Sequence, residues 1–455
     1  MNFSKSSGTS PDFAVYVASR LFIDAGTIFA PGAISVREGV VAAAGAPGDV
    51  ARSVPAGSAR FDFPGAAILP GLVNAHTHLQ IPRLPDPGPE GAPPATFIDW
   101  ILRIVAWKRG AQPEEFARNM ASATTESLAS GTTAVGEIAG PDAAAYAACP
   151  LRARVFAEGI GFAPEAAQAA IAAVQAAVGT IAAIAARNPL VAPGVSPHTP
   201  YTVGPVLLRM IADLASRRSL PAALHLAESP AEMEFLRTGG GEIATRLYPA
   251  IGRDVSFFRG IGNTISRYLA EAGLLRPGLL LVHNVHLSRA DVSDLRAGGA
   301  RFVLCPRSNE ALGNGAPDVT HFVDAEIPFA LGTDSAASVP DASLWEEMRA
   351  ARAMYRGALP EAELCRALFR AATENGAGAL SLCPSGTLPG DAPGSAHDPG
   401  VGPGGTLRAG APADFVLVED AGGDGAAAYR NLVERTGSGR VLLTAVGGRR
   451  VHERT

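Results

Sequence analysis

Residues 70–78 read Pro70-Gly-Leu-Val-Asn-Ala-His76-Thr-His78, an apolar, strand-like run that ends on two histidines two positions apart. Side chains at i and i+2 of a strand share a face, so both imidazoles reach one point. Imidazole is a common zinc ligand. Two of them do not make a site, and the remaining ligands have to come from elsewhere in the chain.

Working outward, apolar runs bounded by glycine, proline or polar residues recur at 66–74, 132–138, 154–160, 191–196, 222–226, 279–282, 301–304 and 329–332. Helix-like stretches lie between them: 113–130, stopped by Gly131 where a C-cap glycine belongs, then the alanine-rich 163–186, and 341–356 after the last run. Alternation of this kind marks βα units around a parallel sheet. Eight strands close naturally into a (β/α)₈ TIM-type barrel. The step between the fifth and sixth runs is long and carries an insertion around 239–262. Strand-rich segments at both chain ends, 13–65 and 406–455, are each too small for a secure core, and together they are expected to form one β-sandwich domain. The expected organisation is therefore a disordered tail at 1–12, the β-sandwich from both ends, the barrel over 66–383 and a Gly/Pro-rich loop at 384–405.

Composition removes several classes of function. The 455-residue chain carries a net charge of −5 and no basic block, which argues against nucleic acid as a partner. The first twelve residues are polar and lack the apolar segment of a secretory signal. No uninterrupted apolar run reaches membrane-span length. The four cysteines show no paired spacing and suit a reducing compartment. A cytoplasmic enzyme with no membrane partner is the expectation, and a homodimer is compatible with it.

The predicted strand ends carry the chemistry. Strand five ends Leu224-His225-Leu-Ala-Glu228, strand six Val282-His283-Asn284, strand seven Cys305-Pro-Arg307-Ser-Asn309 and strand eight Gly332-Thr-Asp334-Ser335. In a barrel the C-terminal strand ends form the mouth where active sites sit. One histidine beside an apolar run is usually a satisfied core residue; polar groups at the same end of consecutive strands point to a shared site.

The segments Asn74-Ala-His-Thr-His78, His225-Leu-Ala-Glu228, His283-Asn-Val-His286 and Leu331-Gly-Thr-Asp334-Ser335 resemble the amidohydrolase superfamily, and within it the aminohydrolase branch that includes cytosine, guanine and S-adenosylhomocysteine deaminases and triazine chlorohydrolases. The resemblance implies that His76, His78, His225 and Asp334 hold one divalent ion, zinc or iron, with a position open for water. A bound cation lowers the pKa of that water. It further implies that Asp334 accepts the water's proton and that Glu228 shuttles a proton to a ring nitrogen and then to the leaving amine. His283, which ends the apolar run, is the expected electrostatic partner of the attacking water. Many relatives bridge two metals with a carboxylated lysine on strand four. Here the lysines are Lys5 and Lys108, and strand four, 191–198, has none, so a lysine-bridged binuclear site is excluded.

For the substrate, Ser196-Pro-His198-Thr-Pro-Tyr201 resembles a segment that adenosine-type deaminases use near the sugar, which makes His198 a binding candidate. Where the methylthioadenosine and S-adenosylhomocysteine deaminases carry Trp-Pro-x-Glu, this chain reads Ile104-Val-Ala-Trp107-Lys-Arg109. Phe97-Ile-Asp-Trp100, His225-Leu-Ala-Glu-Ser229 and Cys305-Pro-Arg-Ser-Asn309 look more like the aminodeoxyfutalosine deaminases of menaquinone synthesis, whose substrate is an adenine nucleoside analogue ending in a benzoate. That resemblance makes Arg307, Trp100 and Asn309 candidates for binding it, Arg307 through a bidentate pair with the carboxylate or, alternatively, as a salt bridge holding its loop. The alternatives are an S-adenosylhomocysteine/methylthioadenosine deaminase, or a triazine chlorohydrolase or other cyclic amidine hydrolase.

Overall fold

The computed structural model describes residues 13–84, 96–382 and 404–454; the expected tail 1–12 and the expected loop 384–405 up to residue 403 lie outside them. The chain begins with β1 (Ala14–Asp24), β2 (Thr27–Phe29), β3 (Gly32–Arg37), β4 (Val40–Gly45) and β5 (Ala59–Pro70). Eight strands of a second sheet follow: β6 (Leu72–Thr77), β7 (Thr132–Ala139), β8 (Arg152–Gly159), β9 (Val191–Pro197), β10 (Ala222–Leu226), β11 (Leu279–His283), β12 (Arg301–Leu304) and β13 (Phe329–Leu331). Finally β14 (Phe415–Glu419), β15 (Val441–Val446) and β16 (Arg449–Glu453) return to the first sheet.

β6 to β13 pair in sequence order, all parallel. Such strands are covered on both faces, so they read as unbroken apolar runs rather than as alternation. The circle closes through Asp334, which bridges Thr77 in parallel and donates its backbone N–H to the His76 carbonyl at 3.1 Å. Val73, Ala134, Phe156, Leu280, Val303 and Ala330 pack one apolar cluster of the barrel. The terminal strands make one eight-stranded sheet, in the order β16-β15-β14-β5-β1-β3-β4 with β2 beside β1, around a separate core that includes Tyr16, Ile34, Ile68, Phe415 and Leu443.

One boundary differs from the expectation. The apolar run expected as the first barrel strand, 66–74, spans two elements: Ala66–Pro70 pairs with β14 in the small sheet, and the barrel begins at Leu72. Pattern alone cannot see this change of sheet, because the residues on either side of Gly71 are equally buried. Gly71 is where the two sheets meet, and a Cβ there would stand 2.1 Å from Thr133 Oγ1.

The helices follow their expected signals. Pro113–Ala129 starts in a Gln112/Glu115 capping box and stops before Gly131, whose φ is +87°. The segment Pro164–Ala185 is long and apolar enough to cross a membrane by composition, although Gln168, Gln175 and Thr180 interrupt it. In the fold it lies on β8 and β9 and buries Ile171, Val174, Val178 and Ile181.

Gly332 precedes the left-handed turn of strand eight so closely packed on strand one that a Cβ would meet His76 Cβ at 2.8 Å and His76 O at 2.9 Å. Overpacking of this kind costs about 1–3 kcal/mol. Gly332→Ala is therefore expected to lower the melting temperature and to weaken metal retention together, as read by a thermal scan with metal analysis. A variant with unchanged melting and metal content would show that the barrel seam tolerates a methyl group.

Candidate metal centre

Every expected ligand lies at the C-terminal end of a barrel strand or within three residues after it, so the closure of the barrel brings them together. The ligand nitrogens of His76, His78 and His225 lie within 4.8 Å of one another. His78 Nε2 and His225 Nε2 are 3.3 Å apart, and Asp334 Oδ1 stands 3.5 Å from both His76 Nε2 and His78 Nε2. Two ligands of a tetrahedral ion with Zn–N near 2.0–2.1 Å are separated by about 3.3 Å, so the spacing fits one small ion.

The protonation pattern fits as well. His225 Nδ1–H donates to the carbonyl of His198 at 2.8 Å, which leaves Nε2 as a bare lone pair facing the cluster. Burial, reinforced by the other imidazoles, pushes His225 well below the usual histidine range. His78 is pushed down to about 3 by burial and by His76. His76 Nε2 is buried with no hydrogen-bond partner. Imidazole nitrogens gathered around one point, one of them an orphan, are what a divalent cation requires. Asp334 is held well below the usual carboxylate range: burial alone would raise it, but the surrounding histidines outweigh that. Ser308 Oγ (2.6 Å) and Ser338 Oγ (3.2 Å) donate to its Oδ2, which turns Oδ1 toward the imidazoles.

The strand ends that carry these groups are bent sharply. Ala227 (φ +53°), His283 (+74°), Asn284 (+59°) and Asp334 (+64°) all occupy the left-handed region without being glycine. Such residues cost about 1–3 kcal/mol each and persist where the surroundings over-determine them. Glu232 supplies one such constraint, accepting from the N–H groups of Ala227 (2.9 Å) and Glu228 (2.8 Å). Asn284 supplies another, donating its amide to the carbonyls of Leu281 (2.9 Å) and Val303 (3.1 Å).

The turn at Ala227 delivers Glu228 to the cluster. Its Oε2 lies 3.8 Å from His283 Nε2, and its Oε1 accepts from Asn314 Nδ2 at 3.3 Å. Burial, with Asp334 and Glu232 nearby, raises the Glu228 carboxyl well above its ordinary range, so it can carry a proton. The His283 ring lies 5.8 Å from that of His76 and 5.5 Å from that of His225. Its Nδ1–H donates to Asn309 Oδ1 at 2.9 Å, which leaves Nε2 to accept, and burial lowers its pKa to about 4.

The remaining expected residues occupy different surroundings. Asn309, expected to touch substrate, is buried beneath His283 and sets that ring's tautomer. His198 borders the cluster, its ring 5.1 Å from that of His225 and its Nδ1 2.8 Å from Thr202 Oγ1. Trp100 stacks on Phe97 and donates Nε1–H to the Ala337 carbonyl at 3.2 Å. Arg307 grips Asp341 with both amino groups, at 2.8 and 3.2 Å, and lies 3.6 Å from Glu347; the salt-bridge alternative accounts for these contacts. The expected insertion at 239–262 packs Ile243, Leu247, Tyr248 and Phe258 with Phe97 and Ile98 in one cluster.

Two carboxylates near strand ends, the buried Glu137 and the part-exposed Glu158, were not singled out by motif. Glu137, at the end of β7, accepts from the Leu79 N–H (2.9 Å) and from Tyr146 Oη (2.8 Å), bracing the turn just after His78. Glu158 ends β8 in the sequence Phe156-Ala-Glu158-Gly159. An acidic residue within the last three positions of a barrel strand is the signal that marks both.

The model of the amidohydrolase family matches residues 67–389. An aminodeoxyfutalosine deaminase of Deinococcus radiodurans is 34% identical over 368 residues, covering 78% of this chain and 83% of that protein. A 5-methylthioadenosine/S-adenosylhomocysteine deaminase of Pelotomaculum thermopropionicum is 29% identical over 381 residues, 79% of this chain and 78% of that one. Among solved structures, an adenosine deaminase from Xanthomonas campestris with bound zinc superposes with a TM-score of 0.76 at 25% identity, covering 96% and 92% of the two chains. The aminofutalosine deaminase of Helicobacter pylori, in complex with methylthio-coformycin, shares the fold with a TM-score of 0.78 at 20% identity, over 96% of this chain and 100% of that one.

Proposed function

This chain belongs to the amidohydrolase family, and from that premise we propose that its imidazole cluster holds one zinc ion and that the substrate is aminodeoxyfutalosine, converted to futalosine with release of ammonia. The chain is a hydrolytic deaminase of adenosine-like substrates. The observation that supports the chemistry is the placing of Glu228, a buried carboxyl able to hold a proton, beside both the imidazole cluster and His283. Identity to the Deinococcus enzyme supports the finer choice of substrate.

When bound, the ion supplies a Lewis acid that makes water a nucleophile near neutral pH. His76, His78, His225 and Asp334 would hold it. Asp334, ionised and fixed by two serine hydroxyls, takes the proton of the attacking water. His283, neutral and with Nε2 free to accept, orients that water toward the amino-bearing ring carbon. Glu228 gives its proton to the adjacent ring nitrogen, which lets the ring carbon accept the nucleophile; as a carboxylate it then takes the hydroxyl proton of the tetrahedral carbon and passes it to the departing amine, and the proton held by Asp334 returns the pair to its starting state. Asn309 acts through His283, and Glu232 acts through the turn that aims Glu228. Arg307 stays in this reading as the cation of the mouth, shared between Asp341 and the benzoate.

Incubating the zinc-loaded protein with aminodeoxyfutalosine, S-adenosylhomocysteine, methylthioadenosine and adenosine, and following ammonia release with loss of the adenine absorbance, tests the reading. The highest kcat/KM is expected on aminodeoxyfutalosine. A faster reaction on S-adenosylhomocysteine removes the substrate assignment and keeps the deaminase. Chloride release from a triazine with no ammonia from any nucleoside removes both.

A further inference from the structure

Glu158 sits at the mouth with an unmet need. Its side chain is 12% exposed, and its Oε1 is buried without a hydrogen-bond partner. Two positive or polar groups flank it at distances too long for hydrogen bonds: Lys108 Nζ stands 3.7 Å from Oε2 and His198 Nε2 3.9 Å from Oε1. Lys108 and Glu158 border the same small cavity as the ligand His78, and His198 leans on the ligand His225, so this carboxylate is one side chain away from the reacting centre on two sides. Leaving a buried acceptor unsatisfied is costly.

The chemistry of these groups selects the occupant. A carboxylate offers only acceptors, so the missing group must be a donor. A cationic donor is disfavoured by the ammonium 3.7 Å away, and an anion by the carboxylate itself. A neutral group that donates to Glu158 while accepting from Lys108 fits, and a hydroxyl does both; two adjacent hydroxyls use both carboxylate oxygens.

We propose that Glu158 and Lys108 form the subsite for the vicinal hydroxyls of the substrate's sugar, and so set its preference for ribosides over deoxyribosides. The inference rests on the nucleoside reading above. Glu158 accepts from the pair of hydroxyls, Lys108 donates to one of them, and the sugar thereby fixes the base against Glu228.

Binding of the deaminated products, which do not turn over, provides a readout separate from activity. Calorimetry on metal-loaded wild type, Glu158→Gln and Lys108→Met proteins would compare inosine with 2′-deoxyinosine and 3′-deoxyinosine. Hydrogen bonds to charged groups correspond to about ten- to a hundredfold in affinity. Wild type is expected to favour inosine by a factor in that range, and both variants to lose most of this preference while binding the deoxy ligands nearly as wild type does. In parallel kinetics, Glu158→Gln should raise KM for adenosine more than it lowers kcat. A wild type indifferent to the hydroxyls, or variants that weaken all ligands equally, overturns the subsite and makes Glu158 a structural carboxylate. Failure of any nucleoside to bind overturns it as well. If inosine binds with the hydroxyl preference and none of the four nucleosides tested above is deaminated, the subsite stands and the deaminase reading falls.

Discussion

Glu228→Gln is expected to keep the metal content of the wild type and to lose about 10²–10⁴-fold in kcat, the usual contribution of a positioned acid–base group. Glutamine preserves the shape and can still accept from Asn314 Nδ2, which holds Oε1 at 3.3 Å. It cannot carry a proton to a ring nitrogen or to a leaving amine. The backbone turn at Ala227 should survive, because Glu232 holds it through main-chain N–H groups and not through the Glu228 side chain. KM should therefore move little. Elemental analysis beside steady-state kinetics checks both halves. Loss of the ion in this variant would make Glu228 a ligand or a support for one, and would remove its assigned role.

A larger loss is expected from His225→Ala. This side chain offers Nε2 to the cluster because its Nδ1–H is committed to the His198 carbonyl, and its ring packs on those of His76, His78, His198 and His283. Alanine removes a ligand and leaves a cavity beside those four imidazoles. Metal content should fall far below that of the wild type, and turnover should fall by more than the about 10⁴-fold that a lost proton shuttle can explain. The folded barrel should persist, since β10 keeps its backbone pairing with β11 from Ala222 to Leu226. Retention of full metal content with near-normal turnover would exclude the cluster as the catalytic centre.

Much of the centre was legible in the sequence because its ligands end strands. His76 and His78 announce themselves by spacing, and His225, His283 and Asp334 each close a run of apolar residues. Barrel geometry then requires them to meet, whatever the residues between them do. What escaped the sequence reading lacks such a one-dimensional signature. The change of sheet at Gly71 falls inside a continuous buried run, so no break in polarity marks it. Asn309 lies close to the mouth as expected, yet its amide oxygen is taken by His283, a pairing across 26 positions that no local pattern encodes. For Arg307 the sequence leaves open a substrate carboxylate or a salt bridge holding its loop; it does not name the partner, Asp341 on the loop after strand eight. Glu137 and Glu158 carry no motif, and an isolated acidic residue on a helix or loop is ordinarily solvated. Only their position near strand ends separates them from surface carboxylates.

We propose that one divalent ion, held by His76, His78, His225 and Asp334, makes this chain a deaminase. Chelator-stripped protein titrated with zinc, with ammonia release from an adenine nucleoside followed at each addition, tests it directly. Activity is predicted to rise in proportion to added zinc and to stop rising at one equivalent per chain. Full activity in the stripped protein, or a rise that continues to two equivalents, would contradict it.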